Sequence, residues 1–193
     1  TCALPIYVFG FCMAGLLLLT GCGTSSSQTK GTPTPSISSS TSSPSTLATV
    51  PTSCSNTMII DALKPILPKA EVINTQWQPA PGTELADVIN NGGIACSYGV
   101  LSQESGVTVR WVKDVNSIFE KRVAQWESQG FTKVEIPGIT VDDAYFLVKP
   151  QSAMQEFHIW NLNILKDGIW ISVNQTYGEN LEAGMPVIKA ALG

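Results

Sequence analysis

The sequence predicts an α+β domain, an antiparallel sheet of about five to six strands with two to three helices packed on one face. Helix-like and strand-like patterns alternate in the order helix, strands, helix, strands, helix. The two longest strand patterns flank Lys166-Asp167-Gly168, a strong signal for a tight hairpin turn. The strand segments are short and joined by turns rather than by long crossovers, which favours antiparallel pairing.

The first part of the domain is predicted to contain a short helix and three strands. The helix carries apolar residues at positions 58, 59, 62, 63 and 66; Asn56 can cap it, and Pro65 and Pro68 end it. Strands are expected over residues 72–77, 94–100 and 107–112, the last because apolar residues alternate along it. Residues 78–93 are rich in proline, glycine and asparagine and are expected to form a loop.

The most regular helix pattern lies in the middle of the chain. Ser117 and Glu120 have the spacing of a capping box, and an apolar stripe follows them. Gly130 can supply the left-handed residue that ends the helix, which would bring Phe131 against Trp126. We expect Trp126 to pack in the core; a ligand platform is the alternative.

A hairpin and a final helix complete the predicted domain. Short strands over 134–136 and 144–148 precede the hairpin strands 157–165 and 169–177, and a helix over 181–192 is kinked or begun at Pro186. If Asp167 and Gly168 form a two-residue turn, Ile164 faces Ile171. A three-residue turn would shift this register and exchange the two faces.

One face of the predicted hairpin is polar and rich in amides. We take five of its residues as a candidate binding surface, namely Asn161, Asn163, Trp170, Ser172 and Asn174. Amides and hydroxyls on a rigid sheet can hydrogen-bond a glycan or a peptide, and an exposed tryptophan can stack on a sugar or anchor a partner. The alternative is the ordinary solvated face of an antiparallel sheet.

The N-terminal segment is apolar and uncharged over residues 4–19 and ends in Leu19-Thr20-Gly21-Cys22. It resembles the lipobox of bacterial lipoprotein signal peptides. The resemblance implies that residues 1–21 are removed and that Cys22 receives a diacylglycerol thioether, which anchors the protein on the extracytoplasmic face of the cell membrane. An uncleaved membrane anchor is the alternative. The chain opens at Thr1 without Met and without the basic n-region of a signal peptide, so we expect a truncated or mis-called start.

A low-complexity linker follows the lipidated cysteine. Residues 23–53 contain Ser, Thr or Pro at 23 of 31 positions and one charge, Lys30. Such a segment has little apolar surface to bury and is expected to be disordered, with an r.m.s. reach of about 30 Å. We therefore divide the chain into a signal peptide (1–21), a lipidated cysteine with its linker (22–53) and one domain (54–193).

Charge and cysteine content narrow the functional classes. The 15 acidic residues and 10 of the 11 basic residues follow position 53, so the domain is mildly acidic, which argues against nucleic acid as a partner. Of the five cysteines, Cys2 and Cys12 lie in the predicted signal peptide and Cys22 is the predicted lipidation site, which leaves Cys54 and Cys96. In an oxidising compartment one disulfide is the default, with two free thiols as the alternative.

The sequence predicts no catalytic residue, no metal site and no cofactor. His158 is the sole histidine and lies in a predicted strand, which does not suit a nucleophile–base pair. Asp142 and Asp143 are adjacent, and a solvated turn is preferred to a calcium site.

Several short features resemble small actinobacterial lipoproteins. They are Cys54 before a short helix, the Ala95-Cys96-Ser97-Tyr98 strand, the mid-chain helix and Asp142-Asp143-Ala144-Tyr145. The resemblance implies a paired Cys54 and Cys96 and an α+β sheet, and it implies no catalytic residue.

Three functions are compatible with these features. The preferred one is a non-enzymatic module that binds an envelope protein, a peptide or a glycan. The second is an envelope hydrolase that uses carboxylates such as Glu135, Asp142 or Asp143, and the third is a structural spacer.

Overall fold

In the part of the chain that the structure describes, an antiparallel sheet of seven strands forms the centre of the domain. The computed structural model describes residues 47–103, 105–149, 159–176, 178 and 180–193. The strands are β1 (Glu71–Ile73), β2 (Ile94–Val100), β3 (Ser105–Lys113), β4 (Thr132–Lys133), β5 (Asp143–Lys149), β6 (Ile159–Lys166) and β7 (Ile169–Gln175). They lie in the order β1-β2-β3-β7-β6-β5-β4. The predicted α+β class is confirmed, with seven strands instead of five to six.

Four α-helices of the described ranges pack on this sheet, and they lie on both of its faces rather than on the one we expected. They are α1 (Ile59–Leu63), α2 (Glu84–Asn90), α3 (Ile118–Gln129) and α4 (Leu181–Leu192). Within the described ranges, every helix is too short or too polar to cross a bilayer.

The two faces bury separate apolar clusters. Face A carries α1 and α4 and includes Trp111, Leu162 and Ile171. Face B carries α2 and α3 and includes Val112 and Trp170. Near the β6–β7 turn, the central strands carry apolar side chains on both faces. Both sides of the sheet are therefore covered there.

The predicted hairpin register is confirmed. Lys166 pairs with Ile169, so Asp167 and Gly168 form a two-residue turn with φ of 52° and 71°. Positive φ at both positions is the type I′ geometry that matches strand twist, and glycine and aspartate tolerate it. Ile164 faces Ile171 as predicted. Residues 157, 158 and 177, at the outer ends of the two predicted hairpin strands, lie outside the described residues.

Helix α3 ends as predicted but begins differently. Gly130 has φ of 94°, and the Phe131 N–H donates to the Trp126 carbonyl at 3.0 Å. At the other end Ser117 is itself left-handed and makes no capping bond; Asp114 Oδ1 instead accepts from the Phe119 N–H at 2.9 Å. The core role of Trp126 is confirmed, since its side chain is fully buried.

The helix α2 replaces part of the predicted loop over 78–93. Thr83 Oγ1 caps it by accepting from the Ala86 N–H at 3.2 Å. Seven residues are too few for a helix that is stable alone, and its supports are distant in sequence. Asp87 pairs with Arg122 at 2.6 Å, and Glu84 pairs with Arg110 at 3.3 Å. These ion pairs tie α2 to α3 and to β3.

Smaller differences concern element ends. β1 spans three residues, and β4 lies two residues earlier than predicted, with an isolated bridge between Ile136 and Ile139 further on. Helix α1 follows Met58 rather than Asn56. Helix α4 begins after Asn180, whose Oδ1 accepts from the Ala183 N–H at 2.9 Å, and continues through Pro186.

Two connections fasten the start of the domain. A disulfide joins Cys54 to Cys96 of β2, with a Cα–Cα distance of 5.4 Å, so the disulfide expected from the sequence is present. The predicted linker is ordered at its end, because Ala48 is buried and Val50 packs against the face A cluster. The folded domain therefore includes residues 47–53.

Candidate functional site

The candidate binding surface divides into a buried part and an open part. Asn163, Trp170 and Ser172 are at most 2% exposed. Trp170 Nε1 donates to Asn163 Oδ1 at 3.0 Å, and the Trp170 ring meets Trp126 of α3 with 5.6 Å between centroids. The prediction that these three side chains face a partner is therefore wrong: they belong to the core beneath α3.

The open part of face B is a row of hydroxyl and amide side chains. Ser97 pairs with Thr108, Thr108 with Asn174, and Asn174 with Asn161. All four are partly exposed. They cross β2, β3, β7 and β6, and three strand spacings give the row a length of about 14 Å. We call these four residues the polar row.

Ser97 and Thr108 were not recognised from the sequence. Alternation along β3 places the Thr108 side chain on the other face of the sheet from Val107 and Val109. It does not reveal which strands lie beside β3. The order β2-β3-β7-β6 supplies that information. Asn161 and Asn174, the two predicted residues that stay open, thus gain two neighbours from a separate hairpin.

The polar row lies in a concavity of about 390 Å³. Ile73, Leu101 and Ile159 are apolar members of its lining, and Leu101 is 70% exposed. Gly106 also belongs to the lining and contributes only backbone there. Among the described residues that line it, none is charged. A volume of this size falls in the range of small-ligand sites.

Hydrogen bonds leave much of the polar row available. Ser97 Oγ and Thr108 Oγ1 are 3.0 Å apart and share one bond. Asn174 Nδ2 lies 3.5 Å from Ser172 Oγ, at the limit of a hydrogen bond. The Asn161 amide has no side-chain bond to any residue in the described ranges. Each amide offers a carbonyl acceptor and two N–H donors, so the row can both donate to and accept from a ligand.

The partly buried Arg110 lies outside the lining of this concavity. Arg110 lies one residue pair beyond Thr108 on face B and pairs with Glu84 of α2. Burial lowers the pKa of Arg110, and the neighbouring Glu84 carboxylate partly offsets that effect. Glu84 also accepts from Trp126 Nε1. This cluster fixes α2 and α3 over the buried half of face B.

The carboxylates of the hydrolase alternative lie elsewhere. Glu135, Asp142 and Asp143 line a separate groove of about 450 Å³ next to β4 and β5. Glu135 and Asp142 are exposed, and Asp143 pairs with Lys133 at 2.9 Å. None of these three carboxylates lies in the concavity that contains the polar row.

No family model, no curated protein and no solved structure matches this chain. The function is therefore inferred from the polar row, its concavity and the sequence.

Proposed function

We propose that this chain is a membrane-anchored extracytoplasmic lipoprotein whose domain binds a component of the cell envelope. The observation that carries the binding role is the polar row. Four neutral hydrogen-bonding side chains lie in register on four adjacent strands and form part of a concavity. Helices α2 and α3 cover the part of face B around Val112 and Trp170. The third possibility, a spacer without a ligand, would not require a concavity with open hydrogen-bonding side chains.

The position of the linker supports this assignment. The Ala48 N–H donates a hydrogen bond to the Asp167 carboxylate in the β6–β7 turn. Ile159 and Asn174 lie toward the opposite end of the same two strands, in the concavity. A β-strand rises about 3.3 Å per residue, so Asn161 and Asn174, each five residues from the turn-flanking pair Lys166 and Ile169, lie about 17 Å from the turn. A tether that enters at the turn leaves the concavity free to meet envelope components.

Binding fits the site better than turnover does. The lining offers amides and hydroxyls but, in the described portion, no histidine, cysteine or carboxylate that could serve as nucleophile or base. Neutral side chains fixed on a sheet suit recognition, because little conformational entropy is lost when they bind.

The anchor is tested at Cys22. Two acyl chains hold a protein on a membrane stably, whereas one does not. Mass spectrometry of the membrane fraction should find a diacylglycerol on Cys22, and Cys22→Ala should give an uncleaved precursor or release the protein. An unmodified Cys22 in the membrane fraction would rule out lipid anchoring.

The binding role is tested by changing the open part of the polar row. Asn161→Ala with Asn174→Ala should remove specific partners from pull-downs made with native envelope. Asn90→Ala is the matched control, because Asn90 is an exposed asparagine on α2 outside the concavity. Partner sets that are identical for both variants would contradict the proposed site.

A further inference from the structure

We infer that the concavity on face B binds an uncharged oligosaccharide, laid across the strands along the polar row. This inference rests on the proposed binding function and narrows it to one class of ligand. It follows from the charge of the lining, the direction of the row and the mixture of donors and acceptors.

The lining matches a neutral ligand. Its described residues are aliphatic, aromatic, hydroxyl or amide side chains and glycine. Glu71 and Lys149 lie on the flanking strands, outside the lining. A phosphate or carboxylate ligand placed there would lose hydration and would meet no cation among the described lining residues, which is costly. The domain's net negative charge adds to the penalty for an anion.

The direction of the row favours a sugar chain over a peptide. Extended peptides bind sheets mainly by adding to an edge strand, where backbone groups are unpaired. The polar row instead lies on a sheet face, on strands β3, β7 and β6 that are paired on both sides. Its side chains recur at the strand spacing of about 4.8 Å, which is comparable to the repeat of a β-linked pyranose chain.

Sugar hydroxyls also suit the groups that are present. Each hydroxyl donates and accepts, and Asn161 and Asn174 can do both through one amide. The apolar residues Ile73, Leu101 and Ile159 lie in the same lining and can pack against the C–H faces of sugar rings. Where a side chain and a sugar hydroxyl are too far apart for a direct hydrogen bond, a water molecule can bridge them.

The test is calorimetric titration of the purified full chain in detergent. The neutral probes are cellotetraose, fully N-acetylated chitotetraose and maltotetraose, and the matched anionic probe is tetragalacturonate. We expect at least one neutral tetrasaccharide to bind at least tenfold more tightly than tetragalacturonate. Asn161→Ala with Asn174→Ala should weaken that binding about tenfold or more, since each lost bond counts for several-fold in affinity. Asn90→Ala should leave it within twofold.

A near-isosteric variant separates binding from folding. Asn161→Asp keeps the side-chain shape but removes both amide N–H donors. It should therefore also weaken binding of the neutral sugar, while circular dichroism remains that of the wild type. If no neutral tetrasaccharide binds, or if tetragalacturonate binds as well as they do, the inference is overturned. In that case the loss of partners in the pull-down with Asn161→Ala and Asn174→Ala would still support the proposed binding function, so the two failures can be told apart.

Discussion

The Asp167 carboxylate accepts a hydrogen bond from the Ala48 N–H at 3.0 Å, although 119 residues separate them in sequence. The same oxygen accepts from Lys166 Nζ at 2.8 Å. One side chain in the β6–β7 turn thus fixes the residue at which the linker joins the folded domain. Its charge makes that attachment sensitive to pH.

The first prediction concerns acid. Two hydrogen bonds lower the pKa of Asp167 below its ordinary value of 3.8. The one from Lys166 has the larger effect, and the one from the Ala48 N–H has the next largest. Because the pKa of Asp167 is lower in the folded state, its ionised carboxylate stabilises the fold at pH values above the ordinary pKa of 3.8. This stability is lost as the pH falls through the folded-state pKa. Asp167→Asn keeps a residue that tolerates the left-handed turn. We expect it to lower the free energy of unfolding at pH 7 and to match the wild type in strong acid.

Urea unfolding at several pH values measures this. Asp61→Asn is the control, since Asp61 is 75% exposed and pairs with Lys64 on the surface of α1. Parallel stability curves for the wild type and Asp167→Asn at all pH values would contradict the prediction.

The second prediction concerns the disulfide. Cys54 and Cys96 are 42 residues apart, and the chain-entropy model values such a loop at about 4 kcal/mol. Replacing both cysteines by alanine should lower the free energy of unfolding by up to that amount. Urea unfolding of oxidised wild type and of the double variant gives the difference, and equal midpoints and slopes would refute the prediction.

The third prediction follows from the burial of Trp170. Trp170→Phe should cost about 1–3 kcal/mol, because Asn163 Oδ1 is left buried without its donor. Trp170→Ala should cost about 3–5 kcal/mol. Asn161→Ala, at an open position, should change stability by no more than about 0.5 kcal/mol. If thermal and urea unfolding show Trp170→Ala to be as stable as Asn161→Ala, the core assignment of Trp170 is wrong.

The fourth prediction concerns Gln175. Its amide is buried on face A, where a Cβ added to Gly184 of α4 would lie 2.8 Å from Nε2. Neither amide atom has a hydrogen-bond partner among the described residues. Gln175→Met keeps the volume and removes the unsatisfied groups, so it should raise the free energy of unfolding by about 1–3 kcal/mol. A loss of stability in urea would show that the amide is bonded, for example to a buried water.

The hairpin could be predicted in detail because its information is local. The alternation on either side of Asp167-Gly168 and the two-residue turn determine each cross-strand pair, and the register of Ile164 with Ile171 is the one found. The end of α3 at Gly130 is local in the same way.

The coverage of face B could not be predicted. Asn163 and Trp170 alternate with apolar residues as a solvated strip would, and the helices over them are positioned by distant contacts such as Arg122 with Asp87. The polar row was half predicted for the same reason: Asn161 and Asn174 come from one hairpin, whereas Ser97 and Thr108 join them only through the order of strands in the sheet.

The central claim is that the open half of face B is the surface that meets a partner. A photo-crosslinking amino acid placed at Leu101, which is 70% exposed in the lining of the concavity, tests this in cells that make the full chain. The matched position is Met58, which is 59% exposed and follows the Cys54 segment outside the concavity. We predict a specific adduct from position 101 that position 58 does not give and that Asn161→Ala with Asn174→Ala abolishes. No adduct from position 101, or the same adduct from both positions, would contradict the claim.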